Sequence, residues 1–167
     1  KFVHIVGTNG KGSTAAMLAS VLTAAGLRTG LYTSPYITSF HERMMTDGVP
    51  ISDEMLGKVT EFVREKAETM AEHPTEFELV TCIALEYFLR SGCQIVVLEA
   101  GMGGRLDSTN VIPSPEAVIV THIGLDHTAQ LGNTVEKIAR EKAGVIKPGS
   151  TVVLYRQQSS VEEVVAE

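Results

Sequence analysis

An apolar, β-favouring run, Phe2–Val6, stops at Gly7; Gly7-Thr8-Asn9-Gly10-Lys11-Gly12-Ser13 follows, and then the alanine- and leucine-rich stretch Ser13–Ala25 with Gly26 behind it. The order is strand, glycine loop, helix, with a glycine as the helix stop. No other part of the chain restricts the fold as strongly. A strand that feeds a helix through a glycine turn opens an α/β domain, and the rest of the chain keeps to that rule.

Arg28–Thr33 reads as a second strand, followed by a long polar and aromatic loop over Ser34–Asp47 and the turn signal Asp47-Gly48. Ser52 is placed to cap a helix over Asp53–Glu72, with Asp53 and Glu54 in its first turn, where the helix dipole favours acids. Another helix is expected over Glu76–Arg90. Gln94–Leu98 is a nearly pure β-branched run of the kind buried in parallel sheets, and it ends in Glu99. The loop Gly101–Asn110, a strand at Ala117–Thr121, a helix from a Thr134 cap to Ala143, a strand at Thr151–Tyr155 and a helix over Ser160–Glu167 complete the chain. The alternation predicts an α/β fold of three layers, a mostly parallel sheet with helices on both faces and ligands at the carboxyl ends of the strands.

Composition narrows the partners. A formal net charge of −6 does not supply the basic face that nucleic-acid binding requires. No run approaches the roughly 20 apolar residues of a membrane helix, and no export signal opens the chain. The expectation is a soluble, cytoplasmic protein, read as a piece of a longer one because it plunges at once into a central strand and stops within a helix. Cys82 and Cys93 lack CxxC spacing and fall in segments that read as buried, which implies reduced thiols.

Gly7–Ser13 carries the clearest chemistry. Glycines let backbone N–H groups turn toward phosphates, the helix amino end adds positive potential, and Lys11 is within reach of the β- and γ-phosphates. The general G-x-x-x-x-G-K-[ST] pattern fails, because Ile5 stands at its first glycine and Gly12 at its hydroxyl residue. Glu99, at a strand end beside this loop, occupies the place where nucleotide-using folds keep an acid for Mg²⁺. His127 offers an imidazole to a second metal or to a substrate group. His4, His41, His73 and His122 read as surface or core residues, and Lys142, by spacing alone, as a solvated lysine near a helix end.

Taken in order, Gly7–Ser13, Thr33-Ser34-Pro35, Glu99–Asp107, Leu125-Asp126-His127 and Glu141-Lys142-Ala143-Gly144 resemble the folylpolyglutamate synthase and bifunctional dihydrofolate synthase family of the Mur ligase superfamily, over about Phe2 to Leu154. Gly12 fits that family, whose cell-wall relatives usually carry a hydroxyl residue there. The resemblance implies a Mur ligase central-domain fold and an ATP-dependent amide ligase that joins L-glutamate to a folate or to dihydropteroate through an acyl phosphate. It implies that Thr8, Asn9, Gly10, Lys11, Gly12 and Ser13 hold the ATP phosphates and that Ser34, Glu99 and His127 surround two Mg²⁺ ions. Lys11, His127 and a carbamylated Lys142 would act in catalysis, and Thr75, Phe77, Asp107 and Ser108 would line the pterin site. The family's carboxyl-terminal domain, which contributes to glutamate binding, and a later adenine-contacting portion have no counterpart here. The expectation is therefore part of an ATP-binding domain, from a protein monomeric at full length, that binds nucleotide weakly and does not ligate unaided. Competing readings are a Mur-type ligase for a cell-wall peptide or a polymer such as cyanophycin, against which Gly12 and the Glu99–Asp107 segment argue, and a nucleotide-binding module without ligase activity.

Overall fold

The computed structural model describes residues 1–167. Its strands are β1 (Phe2–Val6), β2 (Thr29–Tyr32), β3 (Met44–Thr46), β4 (Val49–Pro50), β5 (Ile95–Glu99), β6 (Ala117–Val120) and β7 (Thr151–Leu154), joined in one sheet in the order β4-β3-β2-β5-β1-β6-β7. The helices are α1 (Lys11–Ala24), α2 (Asp53–Ala67), α3 (Glu76–Arg90), α4 (Thr128–Leu131), α5 (Val135–Ala143) and α6 (Ser159–Ala166). No helix is long and apolar enough to cross a membrane.

β2, β5, β1, β6 and β7 run parallel, as expected from the alternation, while β3 and β4 add an antiparallel edge. That edge was not expected. It arises within and just after the stretch read as loop: Phe40–Arg43 forms a 3-10 turn, and β3 is too short to display a two-residue period. Asp47 and Gly48 (φ 52° and 77°) make the two-residue turn between β3 and β4, the left-handed conformation such hairpins require.

The sheet is covered unequally. Val3, Ile5, Leu31, Ile95 and Val97 point to one face and pack on Ala15 and Ala19 of α1. The alternate residues Val6, Val96, Leu98, Val118 and Val120 point to the other, under α2, α3, α5 and α6. Helix α2 ends at Ala67 rather than at Glu72 because its buried stripe, Val59, Val63 and Ala67, has no successor. Cys82 corrects the sequence reading: it is exposed, one position off the buried stripe Val80, Ile83, Ala84 and Tyr87 of α3.

Two adjacent strands set the site. The connection after β1 returns to β2 on one side, and the connection after β5 leads to β6 on the other, so their carboxyl ends diverge. A crevice between diverging connections is where open α/β sheets bind ligands.

Candidate functional site

The loop Gly7–Gly10 leaves β1 and delivers Lys11 to the first turn of α1. Gly7 presses on β6, where a Cβ would fall 1.9 Å from Thr121 Oγ1. The amides of Thr8 and Asn9 donate to His122 O at 2.7 and 3.3 Å, and Thr8 Oγ1 donates to Gly124 O at 3.1 Å. The loop is thus pinned to the end of β6 before any ligand arrives.

The start of α1 differs from those of α2, α3 and α5, although the short α4 and the terminal α6 also lack a side-chain cap. Ser52, Thr75 and Thr134 cap α2, α3 and α5, each hydroxyl accepting from a first-turn amide. At α1 the cap is Gly10, left-handed at φ 84°, with no side-chain capping bond. The Gly12 amide is turned to the Glu99 carboxylate, and no side chain takes the other first-turn N–H groups at the positive end of the dipole, where an anion satisfies them. Lys11 Nζ rests on Thr8 O at 3.2 Å, folded back over the loop.

Glu99 faces this loop from the end of β5. It is buried rather than an exposed strand-end acid, and its Oε2 accepts from Ser34 N at 3.0 Å. Burial raises its pKa, while the Ser34 amide and the charge of Lys11 pull the other way. A Cβ on Gly12 would lie 3.3 Å from Glu99 Oε2, so the glycine that breaks the general motif is the residue that lets the carboxylate approach the loop. Thr8 to Ser13, Ser34, Tyr36 and Glu99 line a single cavity of about 500 Å³. A buried carboxylate with no salt bridge, open toward that cavity, suits a hard divalent cation, and the backbone places the Ser34 hydroxyl-bearing residue beside it.

Lys142 is the largest departure from spacing-based reading. It is 4% exposed, and Nζ donates to Gly7 O at 2.8 Å. Its place on α5 explains the burial, since Val135, Ile138, Ala139 and Lys142 share one helical stripe that covers the sheet. Burial, and next the charge of Lys11, lower its pKa from 10.5 to about 8.

The loop after Glu99 docks on the end of the same helix. A Cβ on Gly104 would lie 2.7 Å from Lys142 O, and the Arg105 guanidinium pairs with Glu141 at 3.0 Å. Beyond it, Asp107 and Ser108 form part of a second cavity, of about 610 Å³, with Glu78, Thr81, Cys82 and Arg105. Thr75 is the reciprocal cap of α3 with Glu78 and is exposed. Phe77 packs with Tyr32, ring centroids 6.3 Å apart, and against Gly101, where a Cβ would come within 2.5 Å of Phe77 Cζ.

The structure therefore gathers Thr8–Ser13, Ser34 and Glu99 in one cavity, sets Lys142 beneath the Gly7–Gly10 loop, puts Asp107 and Ser108 in the other cavity, and leaves Thr75 and Phe77 out of both. It does not gather His127 with them. That residue begins α4 at φ 47°, with an exposed ring 3.6 Å from Asp126 and no hydrogen bond to Glu99 or Ser34. No three His, Cys, Asp or Glu side chains converge as a ready metal cluster. His4, read from sequence as a surface or core residue, is a buried polar residue within an apolar strand. Its alternation with Phe2 and Val6 toward the helix-covered face is the signal that was available.

The family model described as the Mur ligase middle domain matches residues 5–166. The chain belongs to that family. It is 44% identical over 167 residues to the dihydrofolate synthase/folylpolyglutamate synthase of Bacillus subtilis, covering 97% of this chain and 39% of that protein. It is 43% identical over 171 residues to the folylpolyglutamate synthase of Lacticaseibacillus casei, covering 99% of this chain and 40% of that one. A solved FPGS-AMPPCP-folate complex superposes with a TM-score of 0.95 at 43% identity, covering 99% of this chain and 42% of that chain. The Mur ligase domain described here spans about two fifths of the length of the curated relatives it matches.

Proposed function

We propose that this Mur ligase domain is the ATP-phosphate- and metal-binding part of a ligase that adds L-glutamate to folates, and to dihydropteroate in the bifunctional case, through an acyl phosphate. The observation that carries the reading is the uncapped start of α1, its first-turn amides, Lys11 and the buried Glu99 all opening into one cavity. The relatives' names and the nucleotide and folate of the solved complex support it.

In this reading Thr8 to Ser13 cradle the phosphates, and Lys11 swings from Thr8 O onto the β- and γ-phosphate oxygens. Ser34, Glu99 and His127 would hold two Mg²⁺ ions, which when bound neutralise charge on the phosphate oxygens. The substrate carboxylate takes the γ-phosphoryl group, the bond to ADP breaking as the new P–O bond forms. The glutamate amine then attacks the acyl carbon, loses a proton, and inorganic phosphate leaves. Positioning and charge stabilisation suffice for both steps, and no side-chain nucleophile is needed. The loop that starts at Glu99 in one cavity reaches Asp107 and Ser108 in the other, which supports a site for the pterin-bearing substrate there; Thr75 and Phe77, which line neither cavity, would border it. Lys142, whose lowered pKa raises the share of neutral amine, would in that form take up CO₂ and release a proton to become a carbamate, an anion beside the phosphate loop in place of a buried cation.

The test is ligation by the full-length protein with ATP, Mg²⁺ and labelled glutamate. Label is expected on tetrahydrofolate or dihydropteroate. Label on a muramyl peptide, and on neither pterin, would overturn the folate reading.

A further inference from the structure

We infer that His4 is a positioning residue for the Asp107–Ser108 wall of the substrate cavity, acting through Thr109; the cavity's role as a pterin site is the reading proposed above, on which this inference builds.

The direction of the hydrogen bonds follows from what each group has to give. Asp107 accepts from Met102 N at 2.8 Å with Oδ2, and from Thr109 N at 3.0 Å and Thr109 Oγ1 at 2.5 Å with Oδ1. Thr109 has one hydroxyl hydrogen, and it is committed to Asp107. Thr109 Oγ1 therefore acts as acceptor toward His4 Nε2, 2.8 Å away, and His4 carries its proton on Nε2. Its other nitrogen, Nδ1, is then a bare acceptor, and it is buried with no partner at all. His4, at 0% exposure, lies among Val6, Leu98 and Val118 on the same sheet face. An aliphatic residue there would remove an unsatisfied polar atom from the core. What the histidine supplies is the donor that orients Thr109.

The segment it orients has little structure of its own, a single 3-10 turn over Ser108–Val111. It is held from outside at three points: by His4 at Thr109, by Gly144, whose carbonyl accepts from Asn110 Nδ2 at 3.3 Å, and by Lys147, whose Nζ donates to the carbonyls of Asn110, at 2.9 Å, and of Ile112. β1 thus serves both halves of the site. Its end delivers Gly7 and the phosphate loop, while His4, from its middle, fixes the wall that faces the substrate.

Two sets of measurements test this. In the full-length ligase, His4→Leu is expected to raise KM for the pterin substrate about five- to tenfold, the loss of one hydrogen bond. KM for ATP should stay put and the melting temperature should not fall. Thr109→Val should cost at least as much, because it also removes the hydroxyl bond to Asp107, the double variant should add nothing to Thr109→Val, and His4→Gln, which keeps an N–H near the position of Nε2, should restore most of the loss of His4→Leu. Parallel decline of melting temperature, kcat and both KM values would mean a merely structural histidine and overturn the inference. In this chain alone, without substrate, ¹⁵N NMR should find His4 neutral and protonated at Nε2, and His4→Leu should speed exchange of the Met102 and Thr109 amides. The Nδ1-protonated form, or unchanged exchange, would overturn the inference even if ligation proceeds. If wild-type protein ligates neither pterin, the functional reading fails, and these NMR results decide the positioning claim separately.

Discussion

Lys11→Ala should reduce ATP turnover by the full-length ligase about 10²–10³-fold, the usual loss when one preorganised group facing transition-state charge is removed. The fold should be indifferent to it. Lys11 is only partly buried, it makes no salt bridge, and its one hydrogen bond, to Thr8 O, is replaceable by water. ADP release and far-ultraviolet circular dichroism, measured on the same preparation, separate the two effects. Turnover within twofold of wild type would mean that the loop does not hold a transferring phosphate.

The second large effect concerns Lys142. In the fold its pKa is about 8 against an ordinary 10.5, so between those values the unfolded chain binds more protons than the folded one, and stability rises with pH. Below pH 8 both states are protonated and the penalty of a buried cation is constant. Over the whole interval it is relieved by about 3 kcal/mol, since each pKa unit corresponds to about 1.4 kcal/mol. Urea unfolding of this chain in CO₂-free buffer should therefore show stability climbing from pH 8 toward pH 10. In Lys142→Met that climb should be lost, leaving the opposite contribution of Cys82 and Cys93, whose thiols burial pushes up, and the variant should exceed wild type at pH 7 by somewhat less than 3 kcal/mol, because the lost bond to Gly7 O offsets about 1 kcal/mol. An identical slope in both proteins would show that another group titrates.

Much of this was legible before the structure. The strand, glycine loop and helix at the start gave β1 and α1 with their correct neighbours, and the hydroxyl caps at Ser52 and Thr134 marked true helix starts. Asp47-Gly48 announced a turn, yet β3 and β4 went unseen because strands of three and two residues carry too little pattern. Glu99 was correctly placed at a strand end, but its burial depends on Ser34, which lies on a loop between β2 and β3 and reaches it only through the pairing of β2 with β5. Lys142 was misjudged because the apolar stripe of α5 is short and a lysine at its end is read as solvated. Burial there follows from the sheet-facing side of α5 and from the Gly7 carbonyl that receives Nζ, a contact between segments far apart in sequence. Local chemistry survives in a sequence; convergence between distant loops does not.

If the Gly7–Ser13 loop and Glu99 form one Mg²⁺-nucleotide site, calorimetric titration of this chain with AMPPCP, with and without Mg²⁺, reads it most directly. Binding that strengthens with Mg²⁺ in wild type, and loses that strengthening in Glu99→Gln, is the expected result. An equal response to Mg²⁺ in both proteins would contradict it.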